Sequence, residues 1–249
     1  MLAGAMLYDV LVSLARPLGW WGRMRVDGLE HLPAEGPVLL APNHDSQMDP
    51  VLISLAALPR RMLRYLAGDD LWRIPLVGAV LDGMGQIPIT RGRGDRRALE
   101  RAVDALKAGD AVTVFPEGRL SWGQRLRARS GLGLLAGWAP EAKVVLCAIT
   151  GSTDFVRFPT RPRFTVSFFP PATGGIRPGE EPAAFSARML QELRARAPVT
   201  PAGRKRIIGG SPKVRRTLAR NRTLNELPPE PPPPLSSAPP PQPGEQMGD

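Results

Sequence analysis

The 249-residue chain contains one cysteine, Cys147, and only two histidines and two tyrosines. A single thiol cannot build an internal disulfide framework or a cysteine-rich zinc site, and it points to a reducing compartment. Acidic residues are also scarce, 23 against 33 lysines and arginines, a formal net charge of +10. That balance calls for an anionic partner: a phosphorylated substrate, a membrane surface or a nucleic acid. No apolar run reaches the ~20 residues of a membrane-spanning helix. No basic region precedes the apolar N-terminus, so a signal peptide fits poorly.

What is present divides into three parts. Residues 1–22 predict an interfacial amphipathic helix. Asp9, Ser13 and Arg16 form a narrow polar stripe opposite Leu7, Val10, Leu11, Leu14 and Leu18. The indoles of Trp20 and Trp21 suit lipid headgroup depth. The other reading of this segment is a helix packed on the domain core.

Residues 23–197 alternate short apolar strands with helical patterns. Strands are predicted at Met24–Asp27, Val38–Ala41, Leu63–Ala67, Gln86–Ile89, Ala111–Phe115, Val144–Ile149 and Phe164–Phe169. Helices are predicted at Pro50–Leu58, Ile74–Asp82, Arg96–Ala108, Gly131–Ala139 and Pro182–Ala197. This order gives a single α/β domain with a mixed, largely parallel sheet flanked by helices.

Residues 198–249 are basic and then proline-rich. Gly203–Arg222 holds eight arginines and lysines and no acidic residue, and Pro228–Pro243 is dominated by proline. Such a tail cannot bury a core and is expected to be disordered. Its charges suit anionic lipid headgroups at about 1 kcal/mol each. It lacks the aromatics that would stack nucleic-acid bases, so no nucleic-acid partner is expected.

The chemistry centres on Asn43-His44-Asp45-Ser46-Gln47-Met48-Asp49-Pro50. Asp-Pro before the apolar Val51-Leu52-Ile53 reads as a helix start, with Asp49 at or near the N-cap. A turn there folds His44 back over the Asp49 carboxylate. An imidazole oriented by a carboxylate is a general base for neutral pH. Three further segments end apolar strands: Gly85–Arg91, Phe115–Ser121 and Val144–Gly151. Arg91 stands near Arg93, Arg96 and Arg97, and a guanidinium fits phosphate oxygens in a bidentate way. Glu117 is expected as an exposed strand-end carboxylate that binds an acceptor hydroxyl or orients Arg91. A structural Glu117–Arg91 ion pair is the plainer reading. Gly118 permits the turn that presents Glu117. His31 reads as a turn residue and Cys147 as an inert core residue.

Taken together, Asn43, His44 and Asp49, then Gly85, Ile87 and Arg91, then Phe115-Pro116-Glu117-Gly118 resemble the PlsC-type glycerolipid acyltransferases, the 1-acyl-glycerol-3-phosphate acyltransferase family. Gly28–Pro33 and Leu76-Val77-Gly78 share the resemblance, which spans roughly Val26 to Gly151. It implies His44 as base, Asp49 as its orienting partner, and Arg91, Glu117, Gly118 and Arg119 as substrate-binding residues. It implies an acyl-coenzyme A or acyl carrier protein donor and a lysophospholipid acceptor. It also implies a peripheral or monotopic place on the cytoplasmic face of the cell membrane. No cofactor or metal is implied. Two departures stand out. Arg119-Leu120-Ser121 replaces the family's Thr-Arg-Ser, and Leu146-Cys147 replaces Val-Pro. The displaced arginine leaves open another lysophospholipid or a lyso-aminolipid as acceptor. A further reading is a catalytically silent membrane-binding protein. Trp72, Ile74, Leu76, Val77, Val80 and Leu81 fit either an acyl groove or core packing. Arg125, Arg127 and Arg129 fit the phosphates or acidic face of a carrier.

Overall fold

The computed structural model describes residues 2–90, 94–153 and 161–199, together with 216, 219 and 222. Arg91 and most of the basic, proline-rich C-terminal segment lie outside the described residues.

Among the described residues seven strands form one sheet in the order β1-β7-β6-β2-β5-β3-β4. They are β1 (Arg25–Asp27), β2 (Val38–Pro42), β3 (Leu63–Gly68), β4 (Ile87–Ile89), β5 (Ala111–Thr113), β6 (Lys143–Thr150) and β7 (Thr165–Phe169). Every pairing is parallel except β6 with β7. All seven predicted strands are present, within a residue or two at their ends. The helices are α1 (Leu2–Ser13), α2 (Arg16–Trp21), α3 (Asp49–Ala57), α4 (Pro75–Gly83), α5 (Arg96–Lys107), α6 (Gly131–Trp138) and α7 (Pro182–Arg196).

Strand β2 lies at the centre, and all five of its residues are buried. Side chains alternate between the two faces of a strand. Leu39 and Ala41 therefore join a core with Leu99, Val103, Leu106, Leu135 and Phe185 of α5, α6 and α7. Val38 and Leu40 join the opposite core with Leu52 and Ile53 of α3, Cys147, and Phe164 and Phe168. Two covered faces explain why the strand is apolar throughout rather than alternating. Cys147 is fully buried, and burial pushes its thiol well above the ordinary range.

Local signals set the helix ends. The Asp95 side chain caps α5 by accepting from Ala98 N (3.1 Å) and also accepts from Thr90 N (2.9 Å). Gly109 follows the helix at φ +87°, a backbone conformation that suits glycine. At α3 the sequence expectation needs a shift of one residue. Asp49 is the first helical residue and Met48 the cap position. The Asp49 carboxylate does not cap the helix, because loop amides before it take that oxygen instead.

The expected single N-terminal helix is broken in two between Ser13 and Arg16, with Pro17 in the first turn of α2. Tyr8 and Val12 are buried against Leu55, Met62 and Met84, so one face of α1 packs on the domain. The Tyr8 hydroxyl accepts from Leu63 N at 3.2 Å. The other face leaves Val10 58% and Leu14 71% exposed. The packed face matches the reading of a helix set on the domain core. Ile74, Leu76 and Val77 of the predicted apolar stripe are also exposed rather than packed in a core.

Candidate active site

Strands β2, β3, β4, β5 and β6 run parallel, so their carboxyl ends share one edge of the sheet. Ligands of open α/β sheets bind at that edge. The loop after β2 carries His44 and the loop after β5 carries Glu117 to Ser121. Their meeting follows from the pairing of β2 with β5.

Asn43 fixes the start of the first loop. Its amide accepts from Ile149 N (2.8 Å) and donates to Ile149 O (2.9 Å), which extends the β2–β6 pairing beyond Pro42. The loop then turns within a few residues. His44 Nδ1 lies 3.1 Å from Asp49 Oδ2. That oxygen also accepts from Asp45 N and Ser46 N, each at 2.7 Å. Asp49 is fully buried, and its Oδ1 has no hydrogen-bond partner among the described residues. One carboxylate oxygen therefore gathers the amides and the ring. A carboxylate is an acceptor, which assigns the proton on this side to Nδ1, so that in the neutral imidazole the lone pair sits on Nε2. The imidazole stacks on Phe115, with centroids 3.9 Å apart and planes inclined by 22°.

Glu117 differs from its expected setting. It is buried rather than exposed, and Glu117 Oε2 accepts from His44 N at 2.8 Å. Its other oxygen accepts from Arg194, including Nε at 3.0 Å. The turn at Gly118 (φ +65°) folds the carboxylate inward beneath the loop, where a Cβ on that glycine would stand 3.1 Å from Arg129 Cγ. Arg119 is half-buried in the same turn. Among the described residues the guanidinium that meets Glu117 is Arg194 of α7. Arg194 also makes a two-pronged contact with Asp45, NH1 to Oδ2 at 2.8 Å and NH2 to Oδ1 at 2.9 Å. Asp45 further accepts from Asn43 Nδ2 (2.9 Å) and Ser121 Oγ.

The electrostatics follow from these partners. Burial raises the Glu117 carboxyl above the usual range, and the Arg194 charge only partly offsets it. Burial also pushes Asp45 upward, but hydrogen bonds and charge from Arg194, with Ser121 and Asn43, outweigh it and hold Asp45 below the usual range. The two carboxylates hold the Arg194 guanidinium firmly protonated.

Arg194 carried no signal in the sequence. A basic residue in the last turn of a helix ordinarily complements the helix dipole at the surface. Its distance from Asp45, 149 residues along the chain, hides the contact further.

An imidazole oriented by a carboxylate at the carboxyl edge of a largely parallel sheet is an arrangement able to take a proton from a bound group. A model of the Acyltransferase family matches residues 23–150. The chain belongs to that family. It is 32% identical over 107 residues to the Arabidopsis thaliana chloroplastic 1-acyl-sn-glycerol-3-phosphate acyltransferase, covering 42% of this chain and 29% of that one. It is 34% identical over 97 residues to a Pseudomonas aeruginosa lyso-ornithine lipid O-acyltransferase, covering 38% and 36%. The solved structure of PlsC from Thermotoga maritima shares the fold, with TM-score 0.58 and 22% identity over 76% of this chain and 80% of that one. The chain spans less than half the length of the curated relatives it matches.

Proposed function

We propose that this chain moves a fatty acyl group from acyl-coenzyme A or acyl carrier protein to the free hydroxyl of 1-acyl-glycerol 3-phosphate, giving phosphatidic acid. The supporting observation is the 3.1 Å His44–Asp49 contact, with Nδ1 turned to the carboxylate. Nε2 takes the hydroxyl proton as the oxygen attacks the thioester carbonyl. Asp49 stabilises the imidazolium that forms. The C–S bond then breaks and the thiolate leaves, with the imidazolium supplying its proton. The acyl group passes directly from sulfur to oxygen, and the chemistry draws on the two substrates without a metal or redox cofactor. Arg91 is the phosphate-binding residue of this proposal, and it lies outside the described residues. Arg119, in the Gly118 turn, is a second phosphate contact.

The reaction takes place at an anionic membrane surface, with the protein held there peripherally on the cytoplasmic face. Among the described residues no helix is long and apolar enough to cross a membrane. Two features favour lying on one. Met6, Val10, Leu14 and Trp20 expose apolar surface on α1, α2 and the turn between them. Beside them is an open cleft of about 520 Å³ lined by Arg16, Arg23 and Arg161 with Trp20, Met24 and Leu55. Arginines ringing an apolar floor suit lipid headgroups.

A second reading keeps the chemistry and changes the acceptor to another lysolipid. It is favoured by Leu120 standing where the family motif has arginine, and by the similarity to the lyso-ornithine lipid enzyme. The deciding experiment supplies the purified chain with labelled acyl thioesters on both carriers and a panel of lysolipid acceptors. Labelled phosphatidic acid is the expected product. Transfer only to a phosphate-free acceptor replaces the first reading by the second, and no transfer to any acceptor removes both.

A further inference from the structure

We infer that Arg194 is a positioning residue for the base: it acts on the imidazole through Glu117 and Asp45, and the reaction depends on it although it touches no reacting atom. The inference rests on the acyl-transfer reading of the site.

The His44 main chain is held on both sides by the loop after β5. Its N–H donates to Glu117 Oε2 at 2.8 Å, and its carbonyl accepts from Ser121 N at 2.8 Å. The Asp45 N–H, one residue on, is among the donors that orient Asp49 Oδ2. Two routes therefore converge on the imidazole–carboxylate pair, one through Glu117 and one through Asp45. Arg194 ends both. It bonds the Glu117 side chain and makes the two-pronged contact to Asp45. The three side chains are nearly enclosed, at 15%, 13% and 0% exposure for Arg194, Asp45 and Glu117. Without the guanidinium, two buried carboxylates would face each other with no cation between them, and the loop would have to reopen to hydrate them. A lysine restores the charge but not the planar fork that bridges two carboxylates.

The same helix supplies its own control. Arg188 is also 15% exposed and pairs with Glu180 at 2.7 Å, but it anchors the turn at Thr173–Gly175 rather than the His44 loop. If Arg194 only holds α7 in place, substituting either arginine should have the same consequences.

The test compares Arg194→Ala, Arg194→Lys, Asp45→Asn and Arg188→Ala, well below their melting temperatures. Arg194→Ala is expected to lower kcat by about 10- to 100-fold, the scale of a small misplacement of a catalytic group, with KM little changed. Arg194→Lys should recover part of this, and Asp45→Asn should show a smaller loss with near-native volume. Arg188→Ala should lose stability but keep its kcat.

A second readout is independent of turnover. The chain has two histidines, so a His31→Gln background leaves His44 as the only imidazole. Its downfield Nδ1 proton, hydrogen-bonded to Asp49, should be visible by NMR in the Arg188→Ala protein and lost or broadened in the Arg194→Ala protein. Retention of both kcat and this proton in folded Arg194→Ala overturns the inference. Equal kcat losses in the two arginine variants at matched stability also overturn it. If the wild-type chain transfers no acyl group, the acyl-transfer reading fails, and the NMR comparison still decides whether Arg194 positions His44.

Discussion

The loops around His44 and the helices at the N-terminus are opposite kinds of surface. Around His44 polar groups are buried and nearly all are paired: Asn43 with Ile149, Asp45 and Glu117 with Arg194, Ser121 with Asp45 and the His44 carbonyl. On α1 and α2 apolar side chains point outward and are left exposed among the described residues. Buried polar networks hold one geometry, because leaving any member unpaired is costly. Exposed apolar faces define no geometry, but they can enter any apolar phase. The first surface suits chemistry and the second suits attachment, so changes to one should leave the other's property intact.

The largest test of that separation is His44→Ala. Acyl transfer should fall by about 10²- to 10⁴-fold, the usual contribution of a general base. Binding to anionic vesicles, measured by co-sedimentation, should be unchanged. Full activity in this variant would dissolve the comparison altogether.

Next comes Glu117→Ala. It breaks a buried ion pair and leaves the His44 N–H without its acceptor. Unfolding by urea should show a loss of about 3 kcal/mol. A loss below about 0.5 kcal/mol, the scale of ordinary surface substitutions, would show the network to be looser than its geometry.

The reciprocal experiment replaces Leu14 and Trp20 with serine. Vesicle affinity should drop at least about tenfold, given the transfer free energy of two large apolar side chains. Turnover of water-soluble short-chain substrates should be unaffected. A matching loss of turnover would mean that the two surfaces are coupled.

The smallest effect concerns pH. Asp45 is held below its usual range in the folded state, so the unfolded chain binds more protons there and stability is lost as pH falls below about 4. Glu117, raised by burial, acts with the opposite sign: its contribution is present in acid and lost as pH rises through its folded value. Asp45→Asn should therefore flatten the acid limb of a stability–pH curve. An unchanged limb would assign the acid sensitivity to other carboxylates.

Much of the fold was legible because its elements are written locally. The apolar run Val38–Ala41 can only be a strand covered on both faces, and the alternation of such runs with helical spacing implies a largely parallel sheet. The His44–Asp49 approach was legible for the same reason, since both partners belong to one short loop. What stayed hidden depends on distance along the chain or on the direction of a turn. Glu117 reads as an exposed turn residue, yet Gly118 folds its carboxylate inward. Tyr8 was missed as a core residue because its burial is set by Leu55 and Met62, far along the chain. The break between α1 and α2 was missed although Pro17 marks it. Arg194 was the largest omission, since nothing near it in sequence shows that two carboxylates await it.

That contact has a consequence for how the protein is made. The ribosome synthesises His44 well before Arg194, the cation that joins its loop to α7 and comes 149 positions after Asp45. At roughly 5–20 residues per second, the base would wait on the order of ten seconds for its last anchor. A growing chain that already carries every motif residue would still lack the Arg194 contacts to Glu117 and Asp45 until α7 emerges and folds back onto the sheet.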